Sequence, residues 1–563
     1  MKRRKPIAFI LSVLMAFSVA SFVACNNNDD PFVEKLDPTK TQIYVYNYYA
    51  GFRADWLLSA KKQFEEMYKD YPGVDGKVGV QILMDNRKQE FSDAASTVRN
   101  GTNEVYFTEG TSFHGLYNGD GLYDMTEWMT EPLTEFGETR SIADKMTAEQ
   151  REYMGVEIDG EERYFSLPNY SGFSGIVYNK DIFESKGFYY KKGHESVSSI
   201  YDKFTGDLTD LSSGPDGKYG TYDDGMPATY EEFYTLCDFI KSSGVVPFIW
   251  TGVHYKAYFG KLMMSLVADY EGPEETRLNF SLGGTSHTLI NADGTSYKNS
   301  KEQGFPINES NAYELARQEG RLKATEFIKK ILDTAEWQSS NAYEGVVSHT
   351  DAQALYLSSG MDGNRQIAML IDGSWWEGEA SDAFNDTAIR YKAGNKYERN
   401  FGFLPLPKAD KTKMGQRTIL DDLGSMVFVK ATLAPEKKEI VGKFIRFMNS
   451  DKMLSEFTRI TSALKALDYE VAEEDQAQMT TFAKDLWEMR KSSNMVYNVS
   501  DTPLVVNNKS YFAFNTYWYT RVNGRSYQYA SEAIHANPSA SASEVFQGMI
   551  DYQSSNWWNE LSK

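Results

Sequence analysis

The sequence predicts an α/β protein with at least two domains, and three observations carry that expectation. The chain runs to 563 residues, longer than a single hydrophobic core comfortably supports. Its opening part alternates strand and helix periods. No internal repeat divides it. Residues 42–49 have the β-branched and aromatic content of a strand, and 56–68 then repeat apolar side chains at helical spacing through Trp56, Leu57, Ala60, Phe64 and Met67. Residues 78–84 read as a second strand, 91–98 as a helix and 104–108 as a third strand. That β-α-β-α-β order implies a largely parallel sheet covered by helices, with a ligand crevice at the carboxyl ends of its strands.

The first residues set the compartment. Lys2, Arg3, Arg4 and Lys5 precede an apolar run from Ile7 to Ala24, the charged-then-apolar pattern of a secretory signal over residues 1–24. Phe22-Val23-Ala24-Cys25 resembles the lipobox of bacterial lipoproteins, which implies lipidation of Cys25 and a polar tether over 25–40 beginning Asn26-Asn27-Asn28-Asp29-Asp30. Only two cysteines occur. With Cys25 so used, Cys237 has no partner for a disulfide, and its place in an apolar helical repeat reads as a buried thiol and not a nucleophile. Net charge is −20, and −24 once the four cations of the signal are removed, so nucleic acid is not an expected partner. Aromatic residues make up 14% of the chain, a supply suited both to a large core and to surfaces that stack on a ligand.

Later segments carry a family resemblance. Tyr164-Phe165-Ser166-Leu167-Pro168-Asn169-Tyr170 followed by Tyr178-Asn179-Lys180-Asp181-Ile182-Phe183, then Thr229-Tyr230-Glu231-Glu232-Phe233 and Gly244-Val245-Val246-Pro247-Phe248, resemble successive motifs of extracellular solute-binding proteins of family 1. Ala368-Met369-Leu370-Ile371-Asp372-Gly373-Ser374-Trp375, Phe401-Gly402-Phe403-Leu404-Pro405-Leu406-Pro407 and the apolar helix face Ile440, Val441, Phe444, Ile445, Met448 continue the series in order. The resemblance implies a type II periplasmic-binding-protein-like fold of two lobes joined by a multi-strand hinge, with chain crossings near Pro168 and Pro407. It places residues 41–167 with 415–460 in one lobe, and 168–414 with 461–563 in the other. It also implies a lipid-anchored, monomeric receptor on the outer face of the cell membrane, which closes on a sugar or oligosaccharide and delivers it to an ABC-type permease.

A pyranose offers apolar faces and a rim of hydroxyls, so its site needs flat aromatic rings and planar polar groups. The family motif's tryptophan aligns with Trp375, beside Trp376. Asn47, Tyr48 and Tyr49 close the first strand, where alternation would bury one tyrosine and expose the other. Glu109 follows the third strand, where its carboxylate can accept from hydroxyls. Asn169 and Tyr170 stand at the first crossing, Trp250 ends the strand begun at Val245, and Asp422 precedes the strand 426–429. Trp518 is the one indole in the aromatic run 511–519.

Residues 207–226 are dense in carboxylates and glycines, and Asp207, Asp216, Asp223 and Asp224 suggest a structural calcium, although no glutamate closes a twelve-residue EF-hand loop. A solvated acidic turn is the other reading. No organic cofactor is expected. The six histidines are scattered, without H-E-x-x-H, and no G-x-S-x-G occurs, so metalloprotease and serine-hydrolase readings lack their parts. An enzyme is not expected, but two other classes stay open: a secreted glycoside hydrolase, which needs two carboxylates across a bond, and a cell-surface carbohydrate-binding or adhesion protein, which would normally be β-rich.

Overall fold

The computed structural model describes residues 35–89, 95–110, 113–192, 210–421, 425–500, 502–508 and 518–561. The signal and Cys25, Asp207, Asp422 and the aromatic stretch 511–517 lie outside the described residues. Two principal sheets organise the chain. The first has the strand order Val80–Arg87, Thr41–Tyr48, Val105–Phe107, Met426–Val429, Leu167–Pro168. Its first three strands are parallel, as the alternating pattern predicts. Ile43, Val45 and Ile82 are fully buried, since a strand inside a parallel sheet covered by helices is apolar on both faces. The parallel expectation then fails: Met426–Val429 arrives from far downstream and inserts antiparallel between Val105–Phe107 and Leu167–Pro168. A strand returning from another sheet is free of the right-handed crossover that would force it parallel.

The second sheet runs Phe401–Leu404, Ser174–Asn179, Ile367–Gly373, Val246–Ile249, with only the last pair parallel. Here the family-like motifs have physical roles. Tyr178 is buried near the end of its strand, and Asn179, the last strand residue, caps the helix Lys180–Lys186 by accepting from the Ile182 amide at 3.1 Å. Lys180 Nζ meets Asp485 Oδ1 at 2.8 Å, and Phe183 enters the core. Thr229 caps the helix Tyr230–Ser242 in the same way. That helix buries Cys237 completely as a free thiol, and burial pushes the thiol's pKa well up.

The chain passes between the sheets along short strands that pair with one another. Leaving the first sheet at Pro168, it runs through Tyr170–Ser171 into Ser174–Asn179. It returns from Leu404 through Thr418–Asp421 to Met426. Later, Leu464–Lys465 pairs antiparallel with Tyr170–Ser171, and Asn494–Tyr497 pairs parallel with Thr418–Asp421. Ser171 Oγ donates to Asp421, and the Gly172 amide donates to Asp421 Oδ1 at 3.1 Å, which ties the outward and returning passages together. One buried apolar cluster fills the first sheet and continues through Phe173, Trp376, Phe403 and Phe482 to one face of the second. A second covers the other face and takes in Trp518, Ile534, Phe546 and Met549 near the C-terminus.

Candidate functional site

Parallel pairing sets Asn47 opposite Phe107, so the segments that follow, Tyr48 to Phe52 and Thr108 to Glu109, emerge at one edge of the first sheet. The first passage brings Asn169 and Tyr170 to the same edge. Together Asn47, Tyr48, Glu109, Asn169 and Tyr170 line one narrow cavity with Phe52, Trp56 and Phe457. Five residues singled out in the sequence thus converge. The Tyr170 hydroxyl donates to Glu109 Oε2 at 2.6 Å, and Phe52 stands edge-on to the Tyr170 ring, 4.2 Å between centroids. Glu109 is therefore a held acceptor and not a solvated loop carboxylate. Asn47 works differently: its Nδ2 donates to the Arg53 carbonyl at 2.9 Å and to Asn86 Oδ1 at 2.8 Å, which fastens the loop that forms the rim. The alternation expected of the two tyrosines does not hold. Tyr48 and Tyr49 are both half-buried because the strand ends at Tyr48, leaving Tyr49 in the loop with the Arg53 guanidinium 6.0 Å from its ring centre.

Behind this cavity sits a residue the sequence reading missed. Lys465, 3% exposed, donates from Nζ to Asn169 Oδ1 at 2.6 Å. Its ammonium lies 4.2 Å from the ring centre of Phe457, 5.1 Å from Trp56 and 5.9 Å from Phe107, within cation–π reach of each. Burial pushes its pKa down to about 7. A lone lysine in the apolar run Ala463-Leu464-Lys465-Ala466-Leu467 is the only signal the sequence offered.

The second sheet brings Trp375 near Tyr170, although the indole does not line this cavity. Trp375, just past the strand Ile367–Gly373, is half-buried, with the Lys261 ammonium 5.2 Å from its ring centre. Gly172 lies between Tyr170 and Trp375: a Cβ there would stand 3.6 Å from the tyrosine ring and 3.9 Å from the indole. Close to Trp375 the two sheets' loops touch, since a Cβ on Gly378 would come within 2.5 Å of the Gly51 carbonyl and 3.0 Å of the Thr461 carbonyl. Asp372 and Glu379, on either side of Trp375 in the chain, belong to a polar network. Gln353 Nε2 donates to Asp372 Oδ2 at 3.1 Å and Glu379 Oε2 at 2.8 Å, and His349 Nε2 lies 3.5 Å from Glu379 Oε1. Burial first, and the Glu379 charge second, push the Asp372 carboxyl's pKa up. Hydrogen bonding to Glu379 raises that of His349.

The remaining candidates lie elsewhere. Trp250, Trp376 and Trp518 are fully buried. Trp250 packs against Phe259 and Tyr343, Trp376 against Phe401 and Phe482, and Trp518 donates from Nε1 to the Gly260 carbonyl at 3.0 Å. None of the three lines the cavity. In the acidic loop, Asp223 is fully buried and pairs with Arg417 at 2.8 Å and Thr221 at 2.6 Å. Asp216 Oδ1 accepts from the Lys218 amide at 2.6 Å, and Asp224 Oδ2 from the Gly220 amide at 2.7 Å. Among the described residues no three acidic, histidine or cysteine side chains gather as a metal cage.

No protein-family model matches the sequence, and no curated protein matches it. Solved structures do. A chitin oligosaccharide binding protein superposes with a TM-score of 0.50 at 15% identity, over 91% of this chain and 98% of that one. RafE from Streptococcus pneumoniae in its apo form gives 0.52 at 13% identity, over 94% and 100% of the two chains. RafE in complex with raffinose gives 0.51 at 12%, over 93% and 100%. At these identities the likeness is one of fold: the chain has a mixed α/β fold that resembles those of solute-binding proteins.

Proposed function

We propose that this protein is an extracellular substrate-binding protein of the kind the family 1 motifs suggest, which takes a neutral sugar or oligosaccharide between its two sheets. The observation that carries the reading is the convergence of Tyr48, Glu109, Asn169 and Tyr170 on one cavity, with the half-buried indole of Trp375 across Gly172 from Tyr170. That arrangement supplies what a pyranose needs, ring faces for its C–H surfaces and planar acceptors and donors for its rim. The fold shared with a chitin oligosaccharide binding protein and with RafE in complex with raffinose supports the ligand class.

In this reading residues 41–167 with 415–460 and residues 168–414 with 461–563 act as two lobes, and the paired passage strands act as the hinge. A ligand touching both lobes favours the closed form by its differential affinity for the two states. The N-terminal segment exports the chain, Cys25 anchors it, and an ABC-type permease takes the ligand from the closed form. No bond in the sugar is made or broken.

The test is thermal denaturation of the mature protein against neutral mono- and oligosaccharides, raffinose and chitin oligosaccharides among them. A ligand that binds only the folded state raises the midpoint. No rise with any sugar, or recovery of the sugar as cleaved product, would refute the reading.

A further inference from the structure

The Lys465–Asn169 contact has a consequence for the face the site shows its ligand. An ammonium is a donor only, with no lone pair. Whatever faces it at 2.6 Å must be an acceptor, so the oxygen of the Asn169 amide is fixed toward Lys465 by chemistry. The Asn169 backbone is clamped as well: its amide donates to the Ser425 carbonyl at 3.1 Å, and its carbonyl accepts from the Ala466 amide at 3.4 Å. With backbone and oxygen both committed, the amide NH2 of Asn169 is left for the cavity that the residue lines beside Glu109 and Tyr170. The lysine itself is held by aromatic faces and this one side-chain oxygen. Desolvation is what shifts its proton affinity, and no carboxylate offsets it.

Resting on the sugar-binding reading, we propose that Lys465 is a positioning residue for ligand recognition. It locks Asn169 so that the cavity presents one N–H donor beside the acceptor Glu109. The pair fits two neighbouring sugar oxygens, one accepting from Asn169 and one donating to Glu109, and a protonated amine at the Asn169 position is disfavoured because it meets a donor backed by a buried cation. The cost of that arrangement is an ammonium out of water, which a purely structural position would avoid with methionine.

The test is calorimetric titration at pH 6, where the amine is protonated, of the oligosaccharide that most raises the wild-type midpoint, with Lys465→Met and Asn169→Asp compared. Lys465→Met removes the donor while keeping an apolar side chain for the aromatic cage. The expected result has opposite signs in two readouts: affinity falls roughly fivefold to tenfold, the worth of one hydrogen bond, while the thermal midpoint of the free protein rises. Asn169→Asp gives Lys465 a carboxylate partner but turns the cavity-facing donor into an acceptor. Its affinity falls at least as far, with the fold intact. Wild-type affinity in both variants would overturn the inference alone, as would a Lys465→Met protein that loses stability and affinity together. Binding of no sugar by the wild type would overturn it along with the reading it rests on.

Discussion

Two adjacent indoles show how differently neighbouring residues can be used. Trp375 is half-buried with the Lys261 ammonium over its ring, whereas Trp376 is wholly enclosed by Phe401, Phe482 and Phe384. Trp375→Ala is expected to weaken sugar binding by about 1 kcal/mol or somewhat more, read by calorimetry, with little change in the denaturation midpoint. Trp376→Ala is expected to do the reverse, costing ~3–5 kcal/mol of stability in chemical denaturation. Lys465 gives a pH dependence whose sign can be worked out. Its proton leaves near 10.4 in the unfolded chain and near 7 in the folded one. Between those values the unfolded state holds more protons, so its contribution is present in full above pH 10.4 and is lost as pH falls to 7, with no further loss below. Lys465→Met should therefore be more stable than wild type by a few kcal/mol at pH 7, and denaturation at pH 10 should find that gap much reduced. A gap unchanged across this range would contradict the buried-amine picture. Sequence reasoning put Glu109, Asn169 and Tyr170 forward as candidates because loops after strands and chain crossings are where such sites form, and the fold gathers the three on one cavity. A lysine in an apolar run was its one hint of Lys465, whose burial comes from Trp56 and Phe107, distant along the chain, together with the nearby Phe457, an enclosure that only the fold assembles.

At the scale of elements, most of the regular structure was legible. The strands at Thr41–Tyr48 and Met426–Val429 and the helix at Asp55–Met67 fall within a residue or two of the expected places, since their apolar periods are local signals. The direction of Met426–Val429 was not legible, because pairing partners are chosen by the whole chain. Nor was the separate duty of the Tyr178 to Phe183 motif, which resembles a family signature yet serves a strand end, a helix cap and a core residue. The contact of the Gly51 loop with the short helix Trp376–Glu379 is where the two sheets' loops press together. Adding a methyl at Gly378 forces the Gly51 and Thr461 carbonyls away. Gly378→Ala is accordingly expected to widen the site and reduce sugar affinity tenfold or more if closure is part of binding, and small-angle scattering with saturating ligand should give a larger radius of gyration than wild type. An unaltered affinity would separate closure from binding.

For the molecule as a whole, strand–helix alternation was enough to expect an α/β chain, and the solved structures share a mixed α/β fold with it over nearly the full length. What the sequence could not provide was the continuity of the apolar cluster from the first sheet to one face of the second through Phe173 and Phe403, since such contacts join residues from separate passages. In the proposed reading, closure on a ligand would work around this shared core, with the paired passages at Tyr170–Ser171 and Thr418–Asp421 as the segments that bend. The most direct measurement is a crystal structure of the mature protein with an oligosaccharide that raises its thermal midpoint. Sugar capture predicts an intact glycan between Tyr170 and Trp375, with hydroxyls at Glu109 and Asn169. A glycan found elsewhere on the surface, or present only as hydrolysed fragments, would contradict it.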